Sequence, residues 1–268
     1  MKKFYEKNEL MFSIFWIIVY VVGASVFDEL SKLVNLEKSL TLAFLFVLSL
    51  IFVIWIFKNN LAEKYGLCKP KYTAKNFLYY IPLLVLLTVN FWFGINLQLS
   101  VAASIFYVLT MLCVGFVEEI IFRGFLFKAM QKNNLTAAVI VSSLTFGMGH
   151  IINLFTSGFA NAVPTICQIF YAAATGFLFV IIFYKGKSLL PCIFTHSLFN
   201  AFSLIYNSSS VSLLGQILTS LFIIVLTVVY ALIIIKFTPS EKANSTEEIN
   251  TETKNIETKN IETKNVKK

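Results

Sequence analysis

Eight long apolar segments, joined by short polar connections, dominate this sequence of 268 residues. A helix needs about 20 apolar residues to cross a hydrocarbon core about 30 Å thick. Segments of this kind lie near 10–27, 40–57, 77–97, 101–131, 135–155, 162–184, 189–206 and 211–235. Because 57% of the residues are hydrophobic and only 13% are charged, the chain has too few charges for the surface of a soluble domain. The sequence therefore predicts an all-α polytopic membrane protein, a bundle of about eight transmembrane helices.

The charges in the connections predict the orientation of the bundle. Lysines occur in every second connection, namely Lys2, Lys3, Lys7, Lys58, Lys64, Lys69, Lys71, Lys75, Lys128, Lys132, Lys185, Lys187 and Lys236. The alternate connections are uncharged, or they mix acidic and basic residues as between Asp28 and Lys38. Cytoplasmic loops of membrane proteins are enriched in lysine and arginine. The pattern predicts a multi-pass protein of the cell membrane with both termini in the cytoplasm.

The chain divides into four parts by composition. These are three N-terminal spans in 1–100, a candidate catalytic core in 101–205, a last transmembrane helix in 206–237 and a polar tail in 238–268. The tail ends in three near-copies of ETKNI that begin at Glu252, and it has no aromatic residue. Because such a segment cannot bury an apolar core, we expect a disordered cytoplasmic tail.

Several kinds of chemistry are excluded by residue counts. The single aspartate, Asp28, excludes an intramembrane aspartyl dyad, which needs two carboxylates that share a proton. The two histidines, His150 and His196, are too far apart for an HExxH helix. The four cysteines show no CxxC spacing, so we expect neither disulfides nor a thiolate metal site. The net charge of +8 lies in short connections without a continuous basic face, which predicts no nucleic-acid partner.

Three charged residues lie inside an apolar run, VLTMLCVGFVEEIIFRGFLF. An ionised group near the centre of a membrane costs at least about 2.5–3.5 kcal/mol, so Glu118, Glu119 and Arg123 must pair, face a wet cavity or act in catalysis. Glu119 and Arg123 are four residues apart, which places them on one helix face as an ion pair. Glu118 is rotated by about 100° and lacks that partner. The alternative is a buried network that only holds helices together.

Both histidines lie on later spans at compatible depth. If the hairpin between two spans turns near Asn134, Glu118 and His150 are each 16 residues from the turn and lie at the same depth. His196 and Asn200 are four residues apart, so one helix face carries both. A histidine in a membrane span can also be a hydrogen-bonded packing residue, which is the alternative for each of them.

The segments EEIIFR, FGMGH and HSLFN together resemble the EExxxR, FxxxH and HxxxN/D motifs of the CAAX prenyl protease 2 family, also called the CPBP or Abi family of intramembrane proteases. The three motifs occur in family order, and the resemblance covers about 101–205. It implies a bundle of about eight helices with an intramembrane catalytic cavity that faces the cytosol. It also implies an endopeptidase that cleaves membrane-associated peptides or proteins near the cytoplasmic face of the lipid bilayer.

The resemblance implies a role for each motif residue, and the catalytic residues it indicates are Glu118, Glu119, Arg123, His150, His196 and Asn200. Glu118 would be the general base that activates a water, supported by Glu119 and Arg123. The histidines and Asn200 would orient the water and stabilise the oxyanion. Two mechanisms stay open: Zn²⁺ held by Glu118, His150 and His196, or a metal-free reaction driven by glutamate.

Other functions and the nature of the substrate also stay open. A bacteriocin self-immunity protein or another membrane binding protein on the same fold is the main alternative. A proton-coupled transporter is disfavoured because we find no internal repeat. The composition, rich in Asn and Lys with a single Arg, is typical of a low-GC bacterium, where prenylation is not expected. We therefore expect a peptide pheromone, a bacteriocin leader or a membrane protein as substrate, and the sequence does not predict the oligomeric state.

Overall fold

The computed structural model describes residues 1–156, 162–207 and 210–238, and within these ranges the chain is a bundle of helices. This confirms the prediction of an all-α polytopic membrane protein. Ile95 and Tyr206 add one isolated antiparallel bridge between two connections. Apart from Thr238, the predicted disordered tail and its repeats lie outside the described residues.

The helices are α1 (Lys2–Lys7), α2 (Glu9–Leu33), α3 (Ser39–Lys58), α4 (Ile81–Thr88), α5 (Val101–Glu119), α6 (Lys128–Gln131), α7 (Leu135–Met148), α8 (Ile152–Thr156), α9 (Ala162–Gly186), α10 (Leu190–Phe202) and α11 (Leu213–Phe237). A π-helix, Ile120–Phe127, joins α5 to α6. Short 3₁₀ turns flank α4, follow α7 and extend α10 to Ile205. Seven helical segments of the described chain are long and apolar enough to span a membrane, whereas the eighth predicted span is the shorter Leu190–Ile205.

Polar residues in the connections define where four of the long helices begin. Asn8, Ser100, Asn134 and Ser212 precede α2, α5, α7 and α11. The side-chain oxygen of each accepts a hydrogen bond from the backbone N–H three residues later, at 2.9–3.3 Å. Asparagine and serine are among the preferred N-cap residues because they satisfy a backbone donor that has no partner within the helix.

One end of the bundle gathers the lysine-bearing connections, and we call it the lysine-rich end. The Lys71 N–H donates to the Gly186 carbonyl at 2.8 Å, and the Leu189 N–H donates to the Gly66 carbonyl at 2.8 Å. Lys132 reaches Glu9 at 2.7 Å, which ties the α6–α7 turn to the start of α2. We call the opposite end, with the α2–α3 connection, the hairpin end.

The half of the bundle nearest the lysine-rich end is filled by aromatic side chains. All eight residues of the π-helix are buried. The Phe125 ring lies 5.1–5.8 Å, centroid to centroid, from the rings of Phe12, Phe52, Trp55 and Tyr65. We call these five residues the aromatic plug. Because protein interiors pack as densely as organic crystals, the plug leaves little room for water at this end.

Two glycines allow helices to approach closely beside the candidate site. A Cβ on Gly115 of α5 would lie 2.6 Å from the Ser197 backbone nitrogen of α10. A Cβ on Gly147 of α7 would lie 2.7 Å from the Ile169 carbonyl oxygen of α9. Small residues at helix contacts are typical of membrane proteins, where close backbone packing drives helix association. The first contact fixes the position of His196 relative to Glu118 and Glu119.

Candidate active site

A cavity of about 570 Å³ lies between α2, α3, α5, α7, α9 and α10. Its inner end is lined by Tyr20, Glu118, Phe122, Phe146 and His150. Its mouth is at the hairpin end, where the charged residues Asp28, Glu29, Lys32 and Lys38 line it. The volume is within the range of about 300–1,000 Å³ that is typical of ligand sites.

Glu118, in the last turn of α5, presents a carboxylate at the inner end of this cavity. The Tyr20 hydroxyl on α2 donates a hydrogen bond to Oε1. Oε2 lies 3.4 Å from His196 Nε2, but it has no hydrogen-bond partner among the described residues. One oxygen of the carboxylate is therefore held in place, and the other is buried without a hydrogen bond among the described residues.

Glu119 lies behind Glu118 and joins two of the predicted residues. Its Oε1 accepts a hydrogen bond from Arg123 Nη1 at 2.9 Å. The same oxygen is 2.9 Å from His196 Nδ1. Because an ionised carboxylate only accepts hydrogen bonds, we assign the hydrogen to Nδ1, and in that tautomer the Nε2 lone pair is directed at Glu118. Glu119 thus sets both the orientation and the tautomer of His196.

Arg123 is fully buried between aromatic rings and does not line the cavity. Its guanidinium carbon is 4.0 Å from the centroid of Phe146 and 5.6 Å from that of Phe179. A buried cation is stabilised by the faces of aromatic rings and by an ion pair at the same time. The ion pair between Arg123 and Glu119 has the geometry expected from their spacing of four residues.

His150 and Asn200 complete the wall of the cavity. His150 lies in the 3₁₀ turn after α7, with its ring 5.8 Å from Phe146 in an edge-to-face contact. Asn200 lies one turn after His196 on α10. Both line the large cavity with Glu118. The structure therefore brings together Glu118, His150 and Asn200 at the cavity, while Glu119 and Arg123 lie behind it.

A second, smaller cavity adjoins the first. It has a volume of about 50 Å³ and shares Phe146, His150 and Asn200 with the large cavity. His196 also lines it, and most of the other lining residues are apolar, namely Leu86, Tyr171, Ala172, Phe179 and Phe199. A space of this size beside the histidines can take one small apolar side chain.

The residue that the sequence did not indicate is Tyr20. It is uncharged, it lies in the apolar run of the first span, and it is 98 residues from its partner Glu118. Tyrosine is common near membrane surfaces, so its presence in a span does not by itself indicate a functional role. Only the packing of α2 against the π-helix that follows Glu118 shows that its hydroxyl bonds the carboxylate.

The metal ligands predicted from the sequence can be compared with the positions of the described side chains. Among residues 1–156, 162–207 and 210–238, no three His, Cys, Asp or Glu side chains are placed to hold a metal ion. His196 Nδ1 is occupied by Glu119, and Glu118 Oε1 is occupied by Tyr20. A catalytic zinc usually has three protein ligands. The zinc site of Glu118, His150 and His196 stays a prediction.

The family model for type II CAAX prenyl endopeptidase Rce1-like proteins matches residues 100–202. This segment runs from the N-cap of α5 to the end of α10, and it contains all six predicted site residues. Over this segment, the chain is similar to the type II CAAX prenyl endopeptidases. No curated protein and no solved structure matches the chain.

This match supports a general function. The structure describes a multi-pass membrane protein, and the match supports an intramembrane endopeptidase of the CAAX protease type with peptide or protein substrates in the lipid bilayer. The recognition made from EEIIFR, FGMGH and HSLFN is confirmed by the family match.

The position of the cavity mouth brings two predictions from the sequence into conflict. The sequence places the termini and the lysines in the cytoplasm, and the family resemblance implies a cavity that faces the cytosol. In the structure, the mouth and the lysine-rich end are at opposite ends of the bundle. The two predictions cannot both be correct, because the lysine-rich end and the hairpin end lie on opposite sides of the membrane.

Proposed function

We propose that this CAAX protease-like protein hydrolyses peptide bonds of membrane-associated peptides or proteins with a water molecule that Glu118 activates. The observation that carries the proposal is the placement of the Glu118 carboxylate. Glu118 lines the inner end of the cavity, its Oε1 is held by Tyr20, and its Oε2 is buried without a hydrogen-bond partner among the described residues. A fixed carboxylate with one free oxygen is what a general base needs to orient and deprotonate a water.

The reaction then follows from the positions of the polar groups. The water oxygen attacks the carbonyl carbon of the peptide as Glu118 Oε2 accepts its proton. His150 and Asn200 line the same cavity, and their N–H groups can donate to the oxygen that becomes negatively charged. As the C–N bond breaks, protonated Glu118 returns the proton to the leaving nitrogen, and an amine and a carboxylic acid are released.

His196 supports the state in which Glu118 carries the proton. Its Nε2 lies 3.4 Å from Oε2, and the Nδ1 hydrogen bond to Glu119 leaves the Nε2 lone pair facing Glu118. Once Oε2 is protonated, its O–H can donate to that lone pair. Glu119 and Arg123 do not touch the water and act as positioning residues for His196.

A metal ion at the same residues is the competing way to activate the water. Dialysis against a tight chelator separates the two mechanisms. Under the proposal, cleavage by the purified protein continues at its original rate after chelation. Loss of cleavage on chelation, with recovery when Zn²⁺ is added, would instead support the zinc mechanism.

The test of the base is the change Glu118→Gln, which keeps the shape of the side chain and removes its basicity. Peptides in membranes of cells that produce each variant are compared by mass spectrometry. Products that depend on the protein should fall by about 10²–10⁴-fold, the usual contribution of a general base. The matched control is Glu63→Gln, an exposed glutamate near the lysine-rich end, which should leave the products unchanged. Full cleavage by Glu118→Gln at normal abundance would falsify the proposal.

A further inference from the structure

The small cavity lies directly beside the residues proposed to act on the peptide bond. It shares Phe146, His150, Gln168 and Asn200 with the large cavity. His196 lines the small cavity as well. A peptide that occupies the large cavity next to the proposed base therefore has its side chains within reach of the small one.

Away from this shared rim, the walls of the small cavity are mostly apolar. Leu86 of α4 and Ala172 of α9 line it and are only 2% and 4% exposed. The rings of Tyr171, Phe179 and Phe199 form most of the remaining wall. A buried water needs two to four polar partners, whereas an apolar side chain gains van der Waals contacts with such walls. The chemistry of the cavity thus favours an apolar side chain.

The volume of the small cavity limits the size of that side chain. Protein interiors contain few empty spaces larger than a water molecule, so a space beside an active site suggests a use. A cavity of about 150 Å³ binds benzene, and this one has a volume of about 50 Å³. It is therefore too small for an aromatic ring but has room for the side chain of alanine or valine.

From these observations we infer that the small cavity is a subsite for the side chain of one of the two residues that flank the cleaved bond. It accepts alanine or valine and rejects aromatic residues, and Leu86 and Ala172 set this limit. The inference rests on the proposed function for the cleavage itself. It does not depend on which group activates the water or on which end of the bundle faces the cytoplasm.

Leu86 places part of this selectivity outside the segment that matches the family model. The match begins at residue 100, after the end of α4. α4 packs against α10, the helix that carries His196. Leu86 also forms a small apolar cluster with Val89 and Ile223, and Phe199 packs against this cluster. The motif residues alone therefore do not determine which side chain is accepted.

Competition between peptides tests the subsite. The probe is a library of synthetic peptides, each with an apolar segment of about 20 residues, long enough to span a membrane, followed by a short randomised segment. The library is incubated with the purified protein in detergent micelles, and the ends of the products are read by mass spectrometry. Because all peptides compete for the same protein, the ratio of two products reports the ratio of their kcat/KM values, whatever the amount of active protein.

The unmodified protein should favour alanine or valine over aromatic residues at one flanking position by at least about tenfold. One methylene in an apolar pocket already changes kcat/KM by about 10–200-fold. Leu86→Ala enlarges the cavity, so products with leucine at that position should rise at least about tenfold relative to alanine. Ala172→Val narrows it, so products with valine should fall about tenfold relative to alanine.

Two control variants separate the size of the cavity from general damage. Leu83→Ala makes the same change on α4 at a residue that is also 2% exposed but lines a different cavity. Leu86→Met changes the side chain with little change in volume. Both should keep the preference of the unmodified protein. If Leu86→Ala does not accumulate, Leu86→Val should shift the ratio in the same direction by a smaller amount. Unchanged ratios in the Leu86 and Ala172 variants, or an equal shift in Leu83→Ala, overturn the inference.

The variant Glu118→Gln separates this inference from the proposed function. Cleavage that continues in Glu118→Gln with the same size preference would refute the role of the base and leave the subsite intact. Cleavage that requires Glu118 but shows no size preference at either flanking position would refute the subsite and leave the base intact. If the unmodified protein cleaves neither the library nor the peptides of cell membranes, both are refuted.

Discussion

The two halves of this bundle are built from the same kinds of residues but have opposite properties. Toward the lysine-rich end, the aromatic plug and the π-helix form a dense core that contains the fully buried Arg123. Toward the hairpin end, the same helices separate around a cavity of about 570 Å³. Glu118 and Glu119 lie at the boundary, one on each side. Neighbouring carboxylates can therefore have different roles because their surroundings differ.

The difference gives the two glutamates of EEIIFR distinct surroundings. Glu119 lies in the dense half near the lysine-rich end. Arg123 balances its charge there, and its carboxylate bonds His196. Glu118 lines the cavity, and its buried Oε2 has no hydrogen-bond partner among the described residues. A second carboxylate without a cation is costly in a structural network, which favours the proposed role of Glu118 as a base.

The largest expected change in stability is in the half of the bundle nearest the lysine-rich end, which we call the closed half. Arg123→Met removes the cation and leaves the buried Glu119 carboxylate with no balancing charge, which should lower the free energy of unfolding by about 3–5 kcal/mol. Unfolding by denaturant in detergent micelles measures this change. The double variant Arg123→Met with Glu119→Gln is the control and should be more stable than Arg123→Met alone. If Arg123→Met unfolds like the unmodified protein, the ion pair does not hold the closed half together.

A smaller but still large effect is expected where α5 meets α10 at the boundary. In Gly115→Ala, the new Cβ would lie 2.6 Å from the Ser197 backbone nitrogen, so α10 must move and take His196 with it. We expect a loss of about 2–3 kcal/mol in unfolding free energy, which is typical of overpacking, together with a loss of cleavage. The control is Gly149→Ala, whose Cβ would meet nothing within 4 Å and should change stability by less than about 0.5 kcal/mol. Equal stability of both variants would contradict this account.

At the boundary between the two halves, the positions of the charged residues could be predicted from the sequence. Glu118, Glu119 and Arg123 stand out because ionised groups are rare and costly in an apolar span. The spacing of Glu119 and Arg123 predicts their ion pair, and the count of residues from Asn134 places His150 near Glu118. Helix geometry is enough for these inferences because each concerns residues on one helix or one hairpin.

The remaining features depend on packing between helices that are distant in sequence. Phenylalanines occur throughout the spans, so nothing in their pattern shows that Phe12, Phe52 and Phe125 meet to close one end. The end of the bundle at which the cavity opens follows from this closure, which the pattern of residues does not show. Tyr20 was missed for the same reason, since a tyrosine in a span becomes informative only when its partner is known.

The next prediction concerns the rate of cleavage and compares two buried tyrosines, Tyr20 beside the cavity and Tyr230 in the closed half. Tyr20→Phe removes the hydrogen bond to Glu118 Oε1, which leaves the base less well fixed, and the rate of cleavage should fall by about tenfold. Tyr230 donates to the Phe77 carbonyl at 2.6 Å in the closed half, far from the cavity. Tyr230→Phe is the matched control and should keep the rate while losing about 1 kcal/mol of stability. A Tyr20→Phe protein that cleaves at the original rate would show that Glu118 needs no support from α2.

The smallest effect is expected at the mouth. Lys38 and Asp28 are joined at 2.6 Å, but their side chains are 25% and 29% exposed, so water screens the pair. Lys38→Met should therefore lower the free energy of unfolding by less than about 1 kcal/mol, in contrast to the dry pair of Arg123 and Glu119. The two variants are compared by denaturant unfolding at low and high salt, and the small difference caused by Lys38→Met should shrink as salt rises. If Lys38→Met destabilised the protein as strongly as Arg123→Met, the mouth would be part of a rigid core, and the contrast between a closed and an open half would fail.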